Sequence, residues 1–284
     1  MGVSAPRPDM SIPAASAGPE ELWMIDPQVE GSAAAIVKSH QGLFIINAFD
    51  EGVGWQLRTR GACDAPQMAL LELLGRAACA GAVVLDIGAN IGVTSAVLAR
   101  AIGRGGRVHA FEPQRAMFHM LAGNMALNGI DQVVCNCIAV GAAPGVARLP
   151  RLDYRAPAIF GSVELNRDQQ SDARQQARDN EFEQVPMTSI DALGLPRVDL
   201  IKIDVEGMEH EVLEGARVTI ARDHPLMYVE HLKCDKRTLA LTLMTAGYRL
   251  YDVPGNFVCI PAGLPDPTPV IAGLTEYSIE RATP

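Results

Sequence analysis

The chain has 284 residues, 48% hydrophobic and 20% charged, so it can bury a sizeable core and is neither disordered nor fibrous. Its 24 Lys and Arg stand against 33 Asp and Glu, a formal net charge of -9 that sets most of the surface against nucleic acid and anionic lipid. No uncharged apolar run approaches the roughly 18 to 20 residues of a spanning helix, and the N-terminus lacks the apolar stretch of a secretory signal.

Residues 1–30, rich in Pro, Ser and Ala, read as a flexible leader. Residues 31–80 read as a small N-terminal β/helix addition. AAAIVKS, GLFIINAF and WQLRTR predict a β-meander up to Arg60, and the stretch from Asp64 to Ala80 predicts a helix capped by Asp64 ahead of Pro66. From residue 81 to 284 short apolar strands alternate with helices. The predicted strands are Ala82–Ile87, Arg107–Glu112, Gln132–Val140, Val198–Asp204 and Leu226–Leu232, followed by a hairpin of YRLYDV and NFVCIP around Pro254 and Gly255. This order implies right-handed βαβ units and a mostly parallel α/β sheet covered on both faces, with antiparallel pairing at the C-terminal edge. Residues 144–186 break the alternation with mixed charges and read as a substrate lid at the edge where open α/β sheets bind ligands. The six cysteines are scattered without a CxxC pair, which suits reduced thiols in a cytoplasmic protein.

The most informative stretch is VVLDIGANIGVTSAVLARA. Asp86 closes a strand, the turn runs from Gly88 through Asn90 to Gly92, and a helix opens at Thr94. Such a turn lets a ligand approach the backbone and offers it the free N–H groups of a helix start. Glu112 ends the next strand 24 residues after Gly88, where an acid accepts the two hydroxyls of a ribose. Together these residues describe a nucleoside pocket. GANIG lacks the middle glycine of the dinucleotide GxGxxG pattern, and Asp86 beside the turn suits an amino-acid ammonium better than a pyrophosphate. S-adenosylmethionine fits, with Asp86 near its ammonium end through a water or the backbone.

LDIGANIG, HAFEP and DLIKIDVEGMEHEVLEGA resemble the FkbM-type S-adenosylmethionine-dependent methyltransferases over roughly Asp64 to Ala262. The resemblance implies a seven-stranded, Rossmann-like methyltransferase sheet and methyl transfer to a hydroxyl of a small-molecule metabolite, sugar or glycan. On this reading Asp86, Gly88, Asn90, Gly92, Glu112 and Ala139 form the cofactor site, Ala139 lying beside the adenine. Phe160, Gly161 and Ser162 resemble a glycine-containing loop that approaches the acceptor.

Lys202, Asp204 and Glu206 alternate at the end of the fourth core strand and would share one face while it stays extended. Asp204, Glu206 and His231 are the candidate catalytic residues: an activated sulfonium needs alignment most, and a hydroxyl acceptor benefits from a base. Lys202 reads as a buried partner, and Glu209 as a surface or capping residue. Asp204, Glu206 and Glu230 could offer oxygens to Mg²⁺, but spacing does not establish octahedral geometry, zinc spacing is missing, and no metal is expected. The acceptor is expected to be neither nucleic acid nor a membrane. Two rival readings are a nicotinamide-dependent oxidoreductase and a non-catalytic nucleoside-binding module. No feature of the sequence reports the oligomeric state.

Overall fold

The computed structural model describes residues 33–166, 181–265, 270 and 272–278. The expected leader, residues 1–30, and the part of the expected lid at 167–180 lie outside the described residues.

The N-terminal addition opens with an antiparallel hairpin of β1 (Ala34–Ser39) and β2 (Gly42–Asn47), which buries Val37, Phe44 and Ile46. The expected third strand is instead a helix, α1 (Val53–Arg60). The buried carboxylate of Asp50 accepts from the amides of Gly52 at 3.0 Å and Gly54 at 2.6 Å, which closes the first turn. Gly61, at φ +66°, ends it. In α2 (Ala65–Ala77) the Asp64 side chain accepts from the Gln67 amide, as a helix start with Pro66 requires.

The body of the chain then alternates β3 (Val83–Ile87), α3 (Val93–Ile102), β4 (Arg107–Phe111), α4 (Arg115–Leu127) and β5 (Val133–Asn136). A side excursion of β6 (Ala139–Val140), β7 (Gly145–Pro150) and β8 (Phe182–Thr188) follows. The main sheet resumes with β9 (Leu200–Ile203), α5 (Glu209–Glu214), α6 (Arg217–Asp223), β10 (Leu226–Glu230), α7 (Lys236–Thr245), β11 (Tyr248–Val253), β12 (Asn256–Pro261) and the short β13 (Thr275–Glu276).

The main sheet has the order β13-β11-β12-β10-β9-β3-β4-β5. The pairs from β5 to β10 are parallel, and β12 enters antiparallel between β10 and β11. This is the expected seven-stranded sheet with its C-terminal hairpin, extended by the two-residue β13. Strand alternation divides the core into two layers. Val84, Val108, Leu200 and Tyr228 face the N-terminal hairpin and α2, α3 and α4, whereas Leu85, Ile201, Ile203 and Val229 face α5, α6 and α7. Chain order reverses between β3 and β9, the switch point where the ends of parallel strands leave a crevice.

The stretch expected as one strand, Gln132–Val140, is two. β5 stays in the main sheet, and β6 turns away to pair in parallel with β8 in a three-stranded sheet ordered β6-β8-β7. The Asn136 side chain donates to the carbonyls of Ala110 and Val134 and ties off the strand at the break. Among the described residues no helix is long and apolar enough to cross a membrane, and all six cysteines are free thiols.

Asn124, fully buried on α4, fastens the hairpin to the body. Its amide nitrogen donates to the carbonyls of Ile45 at 3.1 Å and Ile91 at 2.8 Å, and its oxygen accepts from the Ile45 amide. Asn124→Ala removes the partner of one buried and two partly buried backbone groups and is expected to lower stability by about 2–3 kcal/mol. A fall in denaturant midpoint with an unchanged slope checks this.

Candidate active site

The turn after β3 is built by close approach. Gly88 has φ +79°, and a Cβ there would lie 1.8 Å from the Asp204 carbonyl oxygen, so the β3 and β9 ends touch backbone to backbone. Asn90 is also left-handed, at φ +51°. Gly92 serves a different purpose from the one expected. A Cβ there would lie 2.6 Å from Leu121 and 2.8 Å from Met125, so this glycine seats α3 on α4 and does not line the pocket.

Asp86 is fully buried and does not line the pocket either. One of its oxygens accepts from the Ser95 hydroxyl at 2.6 Å, and the other lies 3.3 Å from the Lys202 ammonium. Lys202 sits directly across from Asp86 in the β3–β9 register and also lies 3.4 Å from Asp204. It donates to the Gly88 carbonyl at 2.7 Å. Burial opposes its charge, and Asp204 and Asp86 outweigh that, so the ammonium is held above its ordinary range. Asp86 thus acts on the glycine turn through Lys202.

Glu112 follows β4 and is 4% exposed. One of its oxygens accepts from the Asn90 amide at 2.9 Å and the other from the Gln114 amide at 2.8 Å. Burial pushes this carboxyl up to about 7, against the pull of the two amides and Lys202.

Two adjoining cavities meet at Glu112. The first is a narrow slot of about 40 Å³, walled by Phe111, Ala139, Val163, Leu165 and Met208. Ala139 is buried there on β6, backed by the small sheet. The second is a chamber of about 220 Å³, bounded by Gly88, Asn90, Glu112 and the carboxylates of Asp204, Glu206 and Glu230. Its opposite wall comes from the N-terminal addition through Gln56, Cys63, Gln67 and Met68, none of which the sequence pattern marks. Gly161 lines both cavities. Its loop is held by Gln114, which donates to the Phe160 carbonyl at 2.7 Å, by Asp50, which accepts from the Phe160 amide, and by Lys233, which donates to the Ser162 carbonyl.

Glu230 reaches the chamber from the end of β10, whereas Asp204 and Glu206 reach it by a path other than strand alternation. β9 ends at Ile203, and Glu206 has φ +57° in the turn that follows. Glu209, fully buried instead of on the surface, accepts from the amides of Val205 and Gly207 and holds that turn in shape. Glu206 pairs with Lys233 at 2.8 Å. Burial and Asp204 push the Glu206 carboxyl up to about 7, and burial with Asp204 and Glu206 pushes Glu230 up to about 9.

His231 does not belong to this group. It neighbours Glu230 at the end of β10, so the two side chains leave opposite faces of the strand. Its ring packs 4.7 Å from Phe257, and its Nε2 meets Asp252 at 3.2 Å. It lines neither cavity, and burial lowers its pKa. The acid of the Glu-His pair faces the chamber; the expected base does not.

Residues 86–250 match the family model for the methyltransferase FkbM domain. The chain belongs to the FkbM methyltransferase family. The match takes in the glycine turn, Glu112 and the segment from Lys202 to Glu209, and it removes the oxidoreductase reading. Methyltransferase sdnD of Sordaria araneosa is 28% identical over 156 residues, 46% of this chain and 59% of that protein's length. Among solved structures, a methyltransferase FkbM from Methylobacillus flagellatus KT aligns with 18% identity and a TM-score of 0.43, over 63% of this chain and 43% of its own. A methyltransferase from Geobacter sulfurreducens aligns with 18% identity and a TM-score of 0.43, over 72% of this chain and 84% of its own.

The raised Glu112 carboxyl fixes a pH dependence. An ordinary Glu releases its proton near 4.5 and folded Glu112 near about 7, so the free protein loses stability from this group as pH rises through that window. A ribose diol needs the ionised acceptor. With Glu112 as the expected ribose acceptor, nucleoside affinity would fall below about pH 7, approaching about tenfold per pH unit. Calorimetric titration with S-adenosylhomocysteine across the window checks this, and Glu112→Gln should flatten the profile.

Proposed function

We propose that this methyltransferase uses S-adenosylmethionine and acts on a hydroxyl oxygen of a small-molecule or glycan acceptor. The observation that carries the reading is the placement of Glu112 where an apolar slot meets an acidic chamber, each of its oxygens fixed by a backbone amide. A ribose on Glu112 would direct its adenine into the slot beside Ala139. The methionine portion would extend over Gly88 and Asn90 into the chamber. A sulfonium donor is cationic overall, so a chamber lined by Asp204, Glu206 and Glu230 attracts it, whereas a pyrophosphate would be repelled.

The chemistry asks little of the protein beyond geometry. Methyl transfer is an in-line displacement, and holding the acceptor oxygen behind the methyl carbon supplies most of the rate. The acceptor proton must leave, and the Asp204 and Glu206 carboxylates stand on the chamber wall to receive a hydroxyl hydrogen bond. The wall from α1 and the start of α2 would contact the acceptor, which makes Gln56, Gln67 and Met68 specificity residues. With a net charge of -9, a nucleic-acid acceptor is disfavoured, and six free thiols suit the reducing cytoplasm.

Purified chain incubated with methyl-labelled S-adenosylmethionine and a panel of hydroxylated compounds tests the proposal. Label should appear on oxygen of at least one acceptor. Cofactor binding without turnover across the panel would instead favour a nucleoside-binding module. With an acceptor in hand, Asp204→Asn is expected to reduce kcat by about 100-fold or more while changing S-adenosylhomocysteine affinity far less. His231→Ala should leave kcat within about twofold, because its ring is turned from the chamber.

A further inference from the structure

We propose that Asp204, Glu206 and Glu230 bind a hard divalent cation of the Mg²⁺ and Mn²⁺ class at the acidic end of the chamber. The three residues come from the end of β9, the left-handed turn after it and the end of β10, and the switch-point crevice brings them together. One oxygen of each lies within 4.8 Å of the other two. Oxygens about 2.1 Å from a shared octahedral ion stand roughly 3 to 4.2 Å apart, so one ion spans the set with little adjustment.

Glu230 supplies the independent indication. It is 9% exposed and lines the chamber, yet its Oε2 is sealed from solvent with no hydrogen-bond partner among the described residues. A buried carboxylate oxygen with no donor is costly and points to a missing ligand. The neighbouring lysines are already divided. Lys202 lies between Asp86 and Asp204, and Lys233 lies between Glu206 at 2.8 Å and Glu164 at 3.4 Å. Asp86, Asp204, Glu164 and Glu206 thus share two ammonium groups, and neither ammonium pairs with Glu230.

The donor set selects the kind of ion. Three carboxylates and no imidazole or thiolate favour Mg²⁺, Mn²⁺ or Ca²⁺ over zinc or copper. This departs from the metal-free site expected from sequence. Three protein ligands also leave coordination positions open for an acceptor oxygen. That role rests on the methyl-transfer reading, whereas cation binding by the three carboxylates does not.

The test uses the full chain and Mn²⁺ alone, followed by the loss of the free-ion paramagnetic resonance signal, with S-adenosylhomocysteine calorimetry run in parallel. One bound ion per chain, displaced by excess Mg²⁺, is expected. Glu230→Gln should weaken Mn²⁺ binding at least tenfold without lowering the metal-free melting temperature, since the amide keeps the side chain's shape while removing a carboxyl that Asp204 and Glu206 crowd. Glu206→Gln repeats the test from another element. The proposal is overturned if Mn²⁺ does not bind, if both variants bind it like the parent, or if methylammonium and not Mn²⁺ raises the melting temperature. Nucleoside binding without Mn²⁺ binding would sink this inference and leave the methyl-transfer reading standing. Mn²⁺ binding without nucleoside binding would do the reverse.

Discussion

Lys202 places an ammonium group, 3% exposed, between the carboxylates of Asp86 and Asp204 and against the Gly88 carbonyl. A buried charge in that position persists only if every neighbour is in place, because losing one partner leaves an uncompensated ion in a low dielectric. The requirement ties three things together: the β3–β9 register that sets Lys202 opposite Asp86, the glycine turn that delivers a carbonyl, and the position of Asp204 beyond the strand end. Gly88 completes the constraint, since no side chain fits between its α-carbon and the Asp204 carbonyl. The switch-point crevice is therefore a rigid junction, and the groups around it have fixed positions.

On this junction the pocket is assembled from segments far apart in the chain. The slot needs β6, which leaves the main sheet only because β8 lies beyond a long insertion to receive it. The chamber needs α1 and the start of α2, which precede the alternating βα body. The loop around Gly161 is tied by Gln114 and Lys233 from the body and by Asp50 from the N-terminal addition. The addition is thus part of the pocket wall. Asp50 links the two by capping the start of α1 and holding Phe160 with the same carboxylate.

Acids dominate the crevice, and their environments set them apart. Asp86 is neutralised by Lys202 and by a hydroxyl beneath the turn. Glu112 is held by two amides and faces the junction of slot and chamber. Glu206 leans on Lys233, and Glu230 has an oxygen with no hydrogen-bond partner among the described residues. A graded set of carboxylates of this kind favours cationic ligands and leaves little room for a pyrophosphate.

Local pattern determined much of this architecture. The apolar strands alternating with helices specify a parallel sheet, and GANIG with Glu112 marks the end of the sheet that carries the cavities, because strand period, glycine turns and the acid after the second strand are short-range features. Features set by long-range contacts were illegible. WQLRTR can be read as a strand, and only the Asp50 cap and the packing of Leu57 make it α1. Gly92 belongs to the glycine motif, but the approach of α4 assigns it to helix packing. Glu230 and His231 are adjacent in the chain, and the pleat of β10 alone decides which one reaches the chamber. Spacing counts residues along one segment. The meeting of Asp204, Glu206 and Glu230 depends on where two strands and a left-handed turn end in space, which only the folded sheet decides.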